Sequence, residues 1–386
     1  MPDIPRLLRI TTASISLKLL LRGQFTFFQQ QGFEVLTVSA DGPEVKDIIA
    51  EGVAHQVVGM TRMITPFQDL ICLWQLMRVI RKFKPDIIHT HTPKAGLLGM
   101  MAARFCGIPV RLHTVAGLPL MEAKGIKQLV LKLTERITYR CATGVFPNSK
   151  GLLEFIRKEF NIQQSKFKII GKGSSNGIDS SYFSKTEALK AEACEIRKRY
   201  QIPADAIVFG FAGRIVKDKG MVELVKAFRK LSLSASTRLI LIGPFEEELD
   251  PLPHDIMEFI QRDKQIIKAG FQHDVRPWLL ASDVFVFPSY REGFPNVVMQ
   301  AACLGVPCIV SDINGCNEII EDKVSGVMVP PKNEMALYEA MMNISTDKDL
   351  CTSFAVRARA FVSENFDQQY VWHELLKEYR EVLKQK

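Results

Sequence analysis

The sequence predicts an α/β protein of two domains, each built on a doubly wound parallel sheet. Three observations predict it. Short apolar, β-branched runs alternate with stretches of helical periodicity, the signature of βαβ units. A Gly- and Ser-rich segment, GKGSSNGIDSSYF at 171–183, interrupts that rhythm near mid-chain, and the rhythm then resumes. The chain has 386 residues, 47% of them apolar, enough for two buried cores.

The elements follow in order. LLRITT (7–12) reads as the first strand, and an amphipathic helix covers about 17–31. FEVLTVSA (33–40) and VAHQVVGM (53–60) are the next strands. Residues 69–83 have helical periodicity, and PDIIHTHTP (85–93) is a strand ending in a polar turn. A helix over 95–107 closes at Gly107, VRLHTVAG (110–117) is a strand, a long helix covers about 125–141, and GVFPNS (144–149) is a strand. The first domain is thus 1–170, with a linker over 171–185 that contains an Asn-Gly turn at 176–177. The second domain, 186–365, opens with a mixed-charge helix at about 186–200. Its strands are IVFGFAG (207–213), RLILIG (238–243), IIKAGF (266–271), DVFVFP (283–288) and VPCIVSD (306–312). The DKD run at 347–349 reads as a solvated turn, and 366–386 as a charged amphipathic helix.

Two loops of the second domain carry chemistry. In FAGRIVKDKG (211–220), Arg214 and Lys219 follow a strand and precede a helix. Two cations beside a helix N-terminus suit a diphosphate. In SYREGFPN (289–296), Glu292 lies beyond the carboxyl end of a parallel strand, with Pro295 placed for the first turn of the helix VVMQAACL (297–304) that Gly305 ends. Open parallel sheets bind ligands there.

The run EGFPNVV (292–298) resembles the donor motif of retaining family 4 glycosyltransferases, in the branch that includes capsular polysaccharide enzymes. HTHTPKAGLLG (89–99), the NGID at 176–179 and the Gly-Arg…Lys-Gly spacing at 213–220 extend the resemblance over nearly the whole chain. It implies the GT-B fold: two Rossmann-like doubly wound parallel-sheet domains facing a central cleft, the first binding acceptor and the second the nucleotide-sugar donor. It also implies that the terminal helix, 366–386, crosses back onto the first domain. Arg214 and Lys219 would hold the donor diphosphate and stabilise the leaving group. Glu292 would contact the donor sugar. Gly213, Gly243, the loop with Phe271 and Val275, and the 293–297 segment (Gly293, Phe294, Pro295, Asn296, Val297) would complete the donor site. Gln300 stands where the family has a ribose-binding Glu, and Ala116 where many members have a donor-contacting His. On the acceptor side Lys94, His91 and His113 are the candidates, with Lys94 placed to meet an anion. His89 and His91 are read as pointing to opposite faces of their strand, against a shared metal. No metal and no other cofactor is expected, because cations neutralise the diphosphate.

The function implied is retaining transfer of a hexose or N-acetylhexosamine from a nucleotide diphosphate sugar, with UDP as the nucleotide, to a lipid-linked saccharide in capsule, exopolysaccharide or lipopolysaccharide synthesis. The alternatives are a nucleotide-sugar epimerase of the same fold and a catalytically silent nucleotide-sugar-binding protein, which Gln300 and Ala116 motivate. The formal net charge is +8, yet residues 1–170 hold 23 Lys/Arg against 12 Asp/Glu. That basic half points to an anionic partner, a membrane surface or a phosphorylated acceptor. No nucleic-acid-binding motif is present, so no nucleic acid is expected. Eight Cys without a CxxC pair, no signal-peptide layout and no long uncharged run predict a cytoplasmic protein, and the basic half places it peripherally on the inner face of the cell membrane. Leu17, Leu19, Leu20, Leu21, Phe25, Phe27 and Phe28, with Lys18 and Arg22, form a segment able to lie in a bilayer interface, the alternative being a helix packed on its sheet.

Overall fold

The computed structural model describes residues 4–246 and 250–384. The chain divides into two compact units. One runs to Gly177 and takes up the chain again at Gln368; the other is Ile178–Asp367.

The first unit holds β1 (Arg6–Ile10), α1 (Ser14–Leu20), α2 (Gln24–Gln30), β2 (Glu34–Ser39), α3 (Val45–Ala50), β3 (Ala54–Val57), α4 (Pro66–Phe83), β4 (Ile87–His91), α5 (Pro93–Phe105), β5 (Val110–Val115), α6 (Gly125–Cys141), β6 (Gly144–Pro147) and α7 (Lys150–Glu159). The second holds α8 (Glu187–Arg199), β7 (Ile207–Ala212), α9 (Met221–Leu231), β8 (Thr237–Ile242), α10 (His254–Arg262), β9 (Ile266–Gly270), α11 (Arg276–Ala281), β10 (Val284–Phe287), α12 (Asn296–Cys303), β11 (Cys308–Ser311), α13 (Cys316–Ile319), β12 (Gly326–Val329), α14 (Glu334–Thr346) and α15 (Lys348–Asn365). α16 (Gln368–Lys384) follows, in the first unit.

Both sheets are parallel and six-stranded, ordered β3-β2-β1-β4-β5-β6 and β12-β11-β10-β7-β8-β9. The strand order therefore reverses between β1 and β4 and between β7 and β10. These strands are apolar on both faces because helices cover both. The period-two alternation sorts neighbours to opposite cores. Leu8 and Ile88 join the layer of α4, α5, α6 and α7, while Leu7 and Ile87 join that of α1, α2 and α16.

The 17–31 segment departs from the expected single helix. Gly23 takes a left-handed conformation (φ 76°) and splits it into α1 and α2. Leu17, Leu21, Phe25, Phe27 and Phe28 are buried against the sheet and α16; Leu19 alone among the seven is open, at 57%. These residues belong to the core, so this segment is not the membrane-interface element read from the sequence.

His89 and His91 share a face, contrary to the expectation: residues two apart on a strand project the same way. Their rings stack at 4.5 Å, both fully buried. The same face carries Arg9, whose guanidinium donates to Tyr379 Oη (2.9 Å) and Gln24 Oε1 (2.6 Å) and lies 2.8 Å from His91 Nε2. His89 Nδ1 is 2.6 Å from Tyr379 Oη. Trp372 Nε1 and Gln24 Nε2 both donate to Asn176 Oδ1 (2.7 and 3.0 Å). Burial holds both imidazoles well below their usual range, so they stay neutral beside Arg9. One polar network thus ties α16 and the 176–177 turn to the first sheet.

Two other sequence readings change. Pro295 is the N-cap of α12, one residue before the helix proper. The DKD run contains a helix start: Asp347 caps α15 by accepting from the Leu350 amide at 2.8 Å.

Glu135, on α6, is 4% exposed. Burial pushes its carboxyl up to about 7 from an ordinary 4.5, the Tyr139 hydroxyl opposing. The folded state thus favours the protonated acid. That contribution is complete below pH 4.5 and is lost as pH rises through about 7. Glu135→Gln, neutral at every pH, is expected to be more stable than the parent by roughly 2–3 kcal/mol near pH 8 and to match it near pH 4.5. Urea unfolding at the two pH values measures this; a gain independent of pH would contradict it.

Candidate active site

Unit two gathers its polar groups where the strand order reverses, at the carboxyl ends of β7 and β10. Doubly wound sheets open a crevice at that point. After β7 the chain passes Gly213 and Arg214, makes a 3₁₀ turn at Lys217–Lys219, and enters α9 through Gly220. After β10 it passes Ser289, Tyr290, Arg291 and Glu292, and enters α12 through Pro295. Two sequence-distant loops therefore meet because their strands are hydrogen-bonded neighbours.

Lys219 Nζ and Glu292 Oε1 form an ion pair across these loops, with side chains only 15% and 16% exposed. Ser289 Oγ donates to the same carboxylate oxygen at 2.9 Å. Arg214 Nη1 lies 3.2 Å from Glu246 and its Nη2 3.7 Å from Asp218. Asp218 also takes Arg291 at 3.0 Å. The Tyr290 hydroxyl donates to both Glu223 oxygens, at 2.7 and 2.9 Å, and burial followed by that carboxylate pushes its phenol up. The Tyr290 amide donates to the Asp218 carbonyl at 2.9 Å. These links fix the Glu292 loop onto the Lys219 turn. Asp218, Arg291, Tyr290 and Glu223 were not singled out from the sequence, because their roles depend on a pairing of loops about 70 residues apart.

A third loop, after β11, supports the arrangement from below. Asn314 donates its amide to the Glu292 carbonyl. Gly315 (φ 79°) packs so close that a Cβ there would sit 2.4 Å from the Gly293 carbonyl. Phe294 is buried with its ring edge-on to Phe366 at 5.0 Å, so it anchors the loop. Asn296 and Val297 are half-buried at the start of α12. The first-turn amides of a helix have no partner within it and favour anions.

Gly243, after β8, pairs its amide with Gly270 O (2.8 Å) and lies against Gly213. Phe271, after β9, is 51% exposed, with its ring edge-on to His273 at 5.1 Å; Val275 caps α11. Gln300 is half-buried on α12, three and four residues beyond Val297 and Asn296, so it shares their face. Cations, helix amides and an exposed aromatic ring thus sit on neighbouring loops at one edge of one sheet. That set can bind a diphosphate and a flat or hydroxylated group beside it. Among the described residues no three His, Cys, Asp or Glu side chains converge as a metal site.

The first-unit candidates each have their own partners. Lys94 is paired with Asp69 at 2.8 Å and donates to Thr65 at 3.2 Å, which tethers the start of α5 to the start of α4. His91 is enclosed in the Arg9 network. His113 faces the opposite side of the sheet, with Nδ1 2.8 Å from Thr90 Oγ1 and its ring against Gly96; burial pulls its imidazole down to about 4. His113 is a neutral core histidine and does not stand in for the His that Ala116 replaces. A feature missed from the sequence is Thr92, at φ 72°, rare for a β-branched residue. Its hydroxyl is 2.8 Å from Thr12 Oγ1, joining the loops after β1 and β4.

Comparison with known proteins adds the following. Residues 193–361 match the model for glycosyl transferases group 1, and residues 26–181 that for glycosyltransferase family 4. The chain is 33% identical to the capsular polysaccharide biosynthesis glycosyltransferase CapM of Staphylococcus aureus, over 98% of each chain. It is 28% identical, over 89% of each, to an Escherichia coli UDP-Gal:α-D-GlcNAc-diphosphoundecaprenol α-1,3-galactosyltransferase. The fold is similar to that of Anabaena Alr3699/HepE, solved with UDP and glucose (TM-score 0.82, 18% identity, 97% of this chain and 99% of that one).

Proposed function

The chain belongs to the group 1, family 4 glycosyltransferases, and from that premise we propose that it moves a hexose or N-acetylhexosamine from a UDP-sugar to a lipid-linked saccharide during capsule, exopolysaccharide or lipopolysaccharide assembly, with retention of configuration. The observation that carries this is the Lys219–Glu292 pair with Arg214 beside it, at the reversal point of the second sheet. Lys219 and Arg214 take the donor diphosphate and neutralise the charge that develops on it as the glycosidic bond breaks. Glu292, positioned by Ser289 and by the Asn314 contact to its carbonyl, accepts from hydroxyls of the donor sugar. The α12 amides at 296 and 297 face the phosphate, and Phe271 and Val275 border the base. Residues 213 and 243 are glycines, which let the two loops close under the diphosphate. The capsular and diphosphoundecaprenol-linked relatives support transfer to a lipid-linked acceptor; an epimerase or a silent binding protein is not favoured.

We further propose a cytoplasmic location, peripheral on the inner face of the cell membrane through the basic first unit. No described helix is long and apolar enough to cross a membrane.

A panel of nucleotide sugars screened for thermal stabilisation identifies the donor, because a ligand of the folded state raises its stability. Turnover with and without a lipid-linked acceptor tests the reaction. UDP release that requires acceptor is the expected result; conversion of the UDP-sugar without acceptor would establish the epimerase instead.

Gln300 carries a separate prediction. With one acceptor oxygen and one amino group it bonds a ribose diol without charge. Gln300→Ala is expected to raise the donor KM by about fivefold, the scale of one neutral hydrogen bond, while Gln300→Glu keeps activity. An unchanged donor KM in Gln300→Ala would show that Gln300 only packs.

A further inference from the structure

We propose that Tyr290, through its hydroxyl on Glu223, is the positioning residue that aims Glu292 at the donor sugar, and that it governs use of the sugar and not the hold on the diphosphate. The inference rests on the proposed function and adds to it a residue outside the EGFPNVV run.

The loop between β10 and α12 spans residues 288–295, with Glu292 at its middle. The Glu292 carboxylate is met by Lys219 and by the Ser289 hydroxyl. A donor diphosphate draws Lys219 to itself, and of the two only Ser289 then stays with Glu292. From that point the aim of the carboxylate depends on how firmly the loop backbone is held. Downstream the hold is the Asn314 amide on the Glu292 carbonyl, with Gly315 packed against Gly293. Upstream it is Tyr290.

Tyr290 is gripped at both ends. Its amide donates to the Asp218 carbonyl at 2.9 Å, and its hydroxyl lies 2.7 and 2.9 Å from the two oxygens of Glu223, in the first turn of α9. The Lys332 ammonium stands 4.8 Å over its ring. Glu223 is a fixed anchor, because α9 starts hard against the base of the same loop: a Cβ on Gly220 would sit 2.0 Å from the Pro288 carbonyl oxygen. A hydrogen bond to a carboxylate is stronger than a neutral one. Arg291, the other upstream link, reaches Asp218 at 3.0 Å with its side chain 29% exposed, where water competes. The cations sit on the opposite loop and have ties of their own. The Asp218 amide donates to Asp250 at 2.6 Å, and Arg214 lies 3.2 Å from Glu246. Loss of the Tyr290 hydroxyl therefore loosens Glu292 and leaves the diphosphate clamp in place.

The test uses the full chain with UDP and with UDP-glucose, UDP-galactose and their 2-acetamido counterparts. Tyr290→Phe removes the hydroxyl and keeps the ring. It is expected to lower kcat/KM for the sugar the parent prefers by about tenfold, the scale of one hydrogen bond to a charged group, with the Kd of UDP within about twofold of the parent's. Glu223→Ala removes the same bond, so the double variant is expected to be no worse than the poorer single one. Glu223→Gln keeps an acceptor oxygen and is expected to retain most of the parental kcat/KM. Parental kcat/KM in Tyr290→Phe would overturn the proposal. So would additive losses in the double variant, or a fall in UDP affinity as large as the fall in kcat/KM, which would show a loop loosened as a whole. A parent that binds UDP and transfers none of the four sugars strikes the transferase reading. The ratio of UDP-sugar to UDP affinity then decides the role of Tyr290: a ratio lowered by Tyr290→Phe sustains it, and an unchanged ratio overturns it.

Discussion

Replacing Arg214 or Lys219 with Ala is expected to slow sugar transfer by about 10²-fold or more, the effect of removing one preorganised charge from a leaving group. The stability effects should differ. Arg214 is about a third exposed, and its pairs with Glu246 and Asp218 resemble surface pairs, so Arg214→Ala should cost under about 1 kcal/mol. Lys219 and Glu292 are mostly buried, and Lys219→Ala leaves the Glu292 carboxylate with the Ser289 hydroxyl in place of a cation. That orphaned charge should cost roughly 1–3 kcal/mol. Lys219→Ala/Glu292→Gln should regain most of the stability and none of the activity. Near-parental turnover in both single variants would remove the diphosphate clamp from the account.

Gly243→Ala is expected to have the other large effect. Its φ is 138°, and an added Cβ would sit 1.9 Å from the Gly213 carbonyl oxygen, backbone against backbone. The loops after β7 and β8 would have to part. A loss of roughly 3 kcal/mol or more follows from strain and clash together. Gly52→Ala is the control: φ is 78° with nothing within 4 Å of the new Cβ, so about 1 kcal/mol of backbone strain is all it should lose. Calorimetry and donor affinity measure both. A Gly243→Ala protein as stable as Gly52→Ala, with parental donor affinity, would show that the loops do not depend on this contact.

The strands were legible because parallel strands buried on both faces are short apolar runs: DVFVFP and IVFGFAG announce β10 and β7 directly. Helices α14 and α15 were less so, since their apolar residues recur without a clear stripe and Asp347, which caps the second, reads equally well as a solvated turn. The split at Gly23 was missed because the apolar spacing on either side of it is helical; only the left-handed φ shows the break. The interface reading of 17–31 failed for a related reason. Leu and Phe beside Lys and Arg describe a core helix with basic outer positions as well as they describe a bilayer-bound one, and α16, from the far end of the chain, covers this one. The apolar stripe on α4 was visible as periodicity, but a sequence does not say which stripe faces in.

At the candidate site, Arg214, Lys219 and Glu292 could be singled out because GRIVKDKG and EGFPNVV follow strands and resemble the family's motifs, and the structure brings Lys219 and Glu292 together. Asp218, Arg291, Tyr290 and Glu223 could not, because they act across strands that only the sheet order makes neighbours. His113 misled by its place in the strand: one residue of register put it on the α5 and α6 face, opposite His91.

The most direct test of the central claim is the fate of label from a sugar-labelled UDP-sugar offered with a lipid-linked saccharide acceptor. The account predicts that label enters the lipid fraction in step with UDP release, that the new linkage has the donor's anomeric configuration by NMR, and that Lys219→Ala loses both together. Label in the lipid fraction with inverted configuration would contradict the retaining mechanism, and consumption of the UDP-sugar at the same rate without acceptor would contradict glycosyl transfer itself.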